Sequence, residues 1–184
     1  ITQRIIYLLK NGVSPKNILA VTFTNKASKE MQERISSIVK SEIPNISTFH
    51  SACGKILRSE ISLLGFKSNF IIYDDTDSDK LIKEIITQQK LDTKVYNAKN
   101  ISLQISSWKN EGMFPEDIVH SGTLFEKKII HIYKSYQNRL KASNAIDFGD
   151  MILKVIEIFT KFPERLSYYQ NLYKYVLVDE YQDT

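Results

Sequence analysis

Apolar positions along the chain recur in two rhythms, one helical and one nearly continuous. Ile5, Ile6, Leu8 and Leu9 share a helical face that ends at Asn11–Gly12, a helix stop, and Ser14–Pro15 turns the chain. Ile18–Phe23 (ILAVTF) is then almost uninterrupted apolar sequence. Such a run suits a strand covered on both faces, as in a parallel sheet, rather than an alternating edge strand. Thr24 or Asn25 is placed to cap the next helix, where Met31, Ile35, Ile38 and Val39 fall on one side until Pro44 breaks the pattern. A short strand follows at Ile46–Phe49. Strand, helix and strand at this spacing form a βαβ unit, so the sheet is expected to be parallel.

After Phe49 the rhythm becomes almost wholly helical. Ile56, Leu57, Ile61 and Leu64 form one stripe, stopped at Gly65, and Phe70–Tyr73 reads as a brief extended piece. Leu81, Ile82, Ile85 and Ile86 share a face, as do Ile101, Ile105 and Trp108 ahead of Gly112. Phe125, Ile129, Ile132, Tyr136 and Leu140 make the longest stripe. Asp147 is expected to start a helix with Ile152, Val155, Ile156 and Phe159 inside, Pro163 punctuates, and Tyr175–Val178 (YVLV) reads as a final buried strand. The pattern predicts an α/β protein: residues 1–51 and 165–184 form a partial parallel sheet, and residues 52–164 form a large all-helical insertion, longer than an ordinary crossover.

Composition changes this picture little. Of 184 residues, 25% are charged and 42% hydrophobic, ordinary values for a globular protein and not for a disordered one. The net charge of +4 permits a polyanionic partner without requiring one. A single cysteine, Cys53, excludes an internal disulfide and suggests a reducing compartment. With no apolar run near the length of a membrane span and no secretory leader, a cytoplasmic location without a membrane partner is expected. Both ends read as internal to a longer chain, since the first residues already form a helical face and the last follow directly on a strand.

Ligands of open α/β sheets bind beyond the carboxyl ends of the strands, and each predicted strand end here is polar. The last, Asp179–Glu180–Tyr181–Gln182–Asp183, is either a solvated strand end or a place where Asp179 serves a hydrated Mg²⁺ ion and Glu180 acts on a water beside a phosphate. The first, Thr22–Phe23–Thr24–Asn25–Lys26, has Phe23 either in the core or stacked on a base, with Thr24 capping a helix or holding backbone phosphate. The middle one, Ser47–Thr48–Phe49–His50–Ser51, offers His50 as a structural hydrogen-bonding residue; His50, His120 and His131 lack metal-ligand spacing with each other or with Cys53. Asp75–Thr76–Asp77–Ser78–Asp79 opens like a calcium loop, but Lys80 and Ile86 stand where glycine and glutamate are needed, and acidic residues at a helix start explain the run.

AVTFTNKASKEM, STFHS and VLVDEYQDT, in that order and spacing, resemble motifs Ia, Ib and II of the UvrD/Rep/PcrA group of superfamily-one DNA helicases. NAIDFGD, residues 144–150, is similar to a further stretch of that family, and the resemblance covers essentially the whole chain. It implies a RecA-like P-loop NTPase motor domain, 1A, carrying a helical 1B subdomain. It also implies ATP and Mg²⁺ as cofactors, and as partners single-stranded DNA and single/double-strand junctions, with 3′-to-5′ movement. Carried over by residue, Asp179 would hold Mg²⁺ through water with Asp183 in support, Glu180 would be the catalytic base, and Gln182 would sense the terminal phosphate. Phe23, Thr24 and Asn25 would line the single-strand path with Thr48 and His50 beside it, and Lys109, in SWKNE, would approach duplex phosphates.

One departure bears on activity. The family's phosphate loop, GxGKT-like, is absent from this sequence; Gly54–Lys55 does not supply it, because Ile56 follows in place of Ser or Thr and Phe49 stands where the first glycine belongs. The chain alone is therefore expected not to hydrolyse ATP, whereas a parent protein would. Two other readings stay open: a helicase–nuclease subunit of the AddA/RecB type, and a catalytically dead DNA-binding scaffold.

Overall fold

The computed structural model describes residues 1–40, 42–119 and 122–183, with the Asp183 side chain outside that description. His120 therefore lies outside the described residues. Along the chain run α1 (Thr2–Lys10), β1 (Ile18–Thr22), α2 (Asn25–Ile38), β2 (Asn45–Thr48), α3 (Phe49–Glu60), β3 (Ile71–Tyr73), α4 (Asp75–Gln88), α5 (Ala98–Asn110), α6 (Leu124–Ala142), β4 (Ala145–Asp147), α7 (Phe148–Lys161), α8 (Pro163–Leu172) and β5 (Tyr175–Val178). Its contacts separate into two units, residues 1–56 with 156–184, and residues 57–155. The divisions fall inside α3 and α7 rather than at the expected 51/52 and 164/165, so each of these helices contributes residues to both units.

The first unit is built on a three-stranded parallel sheet in the order β2–β1–β5. β1 is central, and its run of small and branched apolar residues is buried on both faces, as the continuous pattern requires. Ile18 and Ala20 join Ile5, Ile6 and Leu8 of α1, Met31 and Ile35 of α2, and Ile46 of β2 in one core. Thr24 caps α2 by accepting the Ala27 amide (3.1 Å). The helix stops at Ile38, which is half exposed, because Val39 is already extended. β2 ends at Thr48, one residue earlier than the sequence suggests, and Phe49 opens α3. β5 is not the buried strand expected from YVLV. Among the described residues it is hydrogen-bonded to β1 alone, and Tyr175 and Val176 are 38% and 56% exposed.

The second unit is mostly helical. Leu81, Ile82, Ile85 and Ile86 of α4, Ile101 and Ile105 of α5, and Ile129, Ile132, Tyr133, Tyr136 and Leu140 of α6 form its core, with Trp108 packed against it. Phe125, placed in this stripe by spacing, is 46% exposed. Asp74 caps α4, accepting the Asp77 amide (2.8 Å), and Asp75 and Asp77 occupy its first turn. The insertion is not all-helical, however. β3 pairs in parallel with β4, aligning Ile71 with Ala145 and Tyr73 with Asp147. Asp147 is thus the last residue of a strand, and α7 begins at Phe148.

Helix α7 also turns a different face inward. Met151, Leu153, Val155 and Ile158 are buried, whereas Ile152 and Ile156 are 38% and 50% exposed. Nearly every position from 151 to 159 is apolar, so the spacing fits several faces and packing selects one.

Candidate functional site

Because β2, β1 and β5 are parallel, their carboxyl ends lie along one rim. Thr22 is the register partner of Thr48, and Val21 that of Val178. The Asp179 amide donates to the Val21 carbonyl (2.9 Å), which continues the β5 ladder one residue past the strand. The three polar segments picked out in the sequence therefore leave adjacent strands at the same height, with strand spacings of roughly 4.8 Å between them.

Two of these ends are built alike. β1 and β2 each finish in Thr–Phe, with the threonine buried. The Thr22 hydroxyl donates to the Thr24 carbonyl (3.0 Å), so the 2.6 Å contact with Ser28 is made by the Ser28 hydroxyl donating to Thr22. Thr48 donates to the Ser51 hydroxyl (2.9 Å) and accepts the Ser51 amide (3.2 Å), which caps the first turn of α3. Thr48 is thus 8% exposed with its hydroxyl engaged, beside the rim and not open to a ligand. What the segment presents outward is His50, which is exposed, and part of Phe49.

Phe23 is 47% exposed, so it is not a core residue. Its ring centroid lies 5.5 Å from that of Phe49, with the planes tilted by 54°. Thr24, Asn25 and Lys26 are exposed where α2 begins, and no acidic side chain occupies its first turn. The positive end of the helix dipole suits this surface to anionic groups.

At the third end, Asp179 is half-buried and Glu180 exposed. Glu180 has φ of +51°, a left-handed conformation that costs a non-glycine residue about 1 kcal/mol or more. The bend turns the chain out of the strand into the short helical turn Tyr181–Asp183. Within it, the Gln182 side-chain amide donates to the Glu180 carboxylate. The donors here are carboxylate oxygens, the hard ligands that fit Mg²⁺ with its retained waters. The Asp183 side chain lies outside the described residues.

Lys109 is corrected by the structure. Its side chain is 1% exposed and sits inside the second unit, 2.6 Å from Asp147 and 2.9 Å from Asp150. An ammonium already held by two carboxylates is not available to duplex phosphates. The stretch NAIDFGD names no partner for Asp147 and Asp150; its i,i+3 acidic pair signals that a cation is needed, and only the fold shows that Lys109 faces it. Phe49 is a further rim residue, marked in the sequence by the repeated Thr–Phe at residues 22–23 and 48–49.

The fold and the rim define a mixed α/β, largely helical protein with parallel sheets, consistent with part of a RecA-like domain. The chain belongs to the UvrD/REP helicase N-terminal domain family, whose model matches residues 1–184. It is similar to a probable DNA helicase II homolog of Rickettsia felis, 45% identical over 189 residues, covering 100% of this chain and 29% of that protein. It is likewise similar to the ATP-dependent DNA helicase PcrA of Staphylococcus epidermidis, 44% identical over 188 residues, covering 100% of this chain and 26% of the relative. The PcrA of Staphylococcus aureus is 42% identical with the same coverage. The chain thus spans less than a third of the length of these relatives. Among the described residues, no helix is long and apolar enough to cross a membrane.

Proposed function

We propose that this chain is part of an ATP-dependent DNA helicase that moves 3′-to-5′ on single-stranded DNA and couples ATP hydrolysis to unwinding. The observation that carries the reading is the shared rim: Thr22, Thr48 and Asp179 end three adjacent parallel strands at one height. Nucleotide chemistry would occupy the β5 end and DNA the β1 and β2 ends, so a change at one end is one or two strand spacings from the other. The first unit would act as motor domain 1A and the second as subdomain 1B, which would face single/double-strand junctions.

In this reading Asp179 would hold Mg²⁺ through water with Asp183 in support, and the ion when bound would neutralise phosphate charge. Glu180 is exposed and able to take a proton from an attacking water, and Gln182, already hydrogen-bonded to it, orients that carboxylate and reports on what lies beside it. Phe23 offers a ring to a base, Thr24 and Asn25 offer the start of α2 to backbone phosphate, and His50 flanks them. Names borne by the relatives, whole-chain identities above 40% and the three motifs in order support the assignment.

The test is Glu180→Gln in a full-length protein that carries this chain. ATP binding should persist while DNA-stimulated hydrolysis falls by about a hundredfold or more, the usual contribution of a general base. Unchanged turnover in that variant would refute the reading.

A further inference from the structure

The repeated Thr–Phe does more than outline the rim. Thr22 and Thr48 are register partners, so the residues that follow them leave neighbouring strands side by side. Their rings meet at a centroid distance of 5.5 Å and a tilt of 54°, inside the range in which aromatic pairs attract. The two rings differ in exposure: Phe23 is 47% exposed, whereas Phe49 is half-buried. They also differ in how firmly they are held. Phe49 is the first residue of α3, whose opening turn is capped by Thr48. Phe23 sits in the link between β1 and α2, one residue ahead of the Thr24 cap.

An exposed aromatic ring on a link has rotamers to lose when a ligand orders it, and that loss subtracts from affinity. A second ring fixed to a helix start and packed against the first removes part of the loss in advance. We propose that Phe49 is a positioning residue for single-stranded DNA: it backs the Phe23 ring and holds it ready to stack on a base, without itself touching DNA. This rests on the reading of the rim as a DNA path.

The experiment titrates a fluorescein-labelled oligothymidylate with a full-length protein that carries this chain and follows anisotropy at several salt concentrations. Phe23→Ala should weaken binding about tenfold, the loss of one stacked base. Phe49→Ala and Phe49→Leu should each weaken it roughly three- to tenfold, the range for an aromatic pair, and Phe49→Tyr should bind like the parent. Phe23→Ala/Phe49→Ala should be no weaker than Phe23→Ala alone, because Phe49 acts through Phe23. The slope of affinity against salt should be the same in all variants, since no phosphate contact is lost.

Should Phe49→Ala fail to fold, the comparison of Leu with Tyr at that position decides, because both fill the space and only one restores the ring. If Phe49→Leu binds as tightly as the parent while Phe23→Ala is weakened, the positioning role is overturned and the DNA path stands. Multiplicative effects in the double variant would also overturn it, by showing that Phe49 contacts DNA independently. Absence of binding by the parent chain, or an unaffected Phe23→Ala, would remove the DNA path and this inference together.

Discussion

Lys109 places its ammonium 2.6 Å from an Asp147 oxygen and 2.9 Å from an Asp150 oxygen, so that one cation serves two carboxylates inside the helical unit. The cluster extends on both sides. The Tyr136 hydroxyl lies 2.9 Å from both Asp147 and Ser78; with one proton to give, it donates to the carboxylate and accepts a hydrogen bond from the Ser78 hydroxyl. The Gln137 amide donates to Asp150 (3.1 Å), and the Asp150 amide donates to Asp147 (2.8 Å). Five elements, α4, α5, α6, β4 and α7, are tied at this point.

Removing the cation should be costly. Lys109→Met keeps the volume of the side chain but leaves two carboxylates buried without their counter-charge. Breaking a buried pair in this way costs roughly 3–5 kcal/mol. Chemical denaturation should show that loss. A change below about 1 kcal/mol would mean that the cluster is far better hydrated than its burial indicates.

The two carboxylates should respond to pH with opposite signs. Burial raises the pKa of Asp147, but the Lys109 charge and hydrogen bond outweigh it and hold the group below the ordinary carboxylate value. Its stabilisation is present above that ordinary value and is lost as pH falls through the depressed one. Asp150 is raised by burial, against the pull of Lys109, so its contribution is full below the ordinary value and is lost as pH rises through the raised one. In urea titrations from about pH 3 to 7, Asp147→Asn should flatten the acid loss and Asp150→Asn should flatten the decline at higher pH.

Gly149→Ala should destabilise the protein, although glycine in a helix ordinarily gains from the change. A Cβ at Gly149 would lie 2.9 Å from Lys109 Cδ and 3.2 Å from its Cβ, too close without displacing the lysine. Overpacking of this kind costs about 1–3 kcal/mol, more than the roughly 0.5–1 kcal/mol gained from helix propensity. A raised melting temperature would contradict the geometry.

Cys53 should be chemically quiet in the folded chain. Burial pushes its thiol up to about 11, which leaves little thiolate near neutral pH. Alkylation by iodoacetamide should be slower by about a hundredfold in the native protein than in urea. Equal rates in the two conditions would show that the α3 face is open.

The sequence by itself determined what depends on near neighbours. The uninterrupted apolar run of β1 announced a strand covered on both sides, Thr24–Asn25 announced a cap that the structure gives to Thr24, and the stripes of α4, α5 and α6 announced the helical core, because periodic burial and capping are properties of residues a few positions apart. The polar strand ends were legible for the same reason. Tertiary structure alone decided the rest. The three-residue strands β3 and β4 are too short to show a period and exist through pairing with each other across the intervening helices. Lys109 reads as a surface lysine until Asp147 and Asp150 are brought to it, and the neighbourhood of Phe23 and Phe49 follows from the register of two strands. Charge compensation, strand pairing and ring contact are made between distant positions, and no local pattern records which partner arrives.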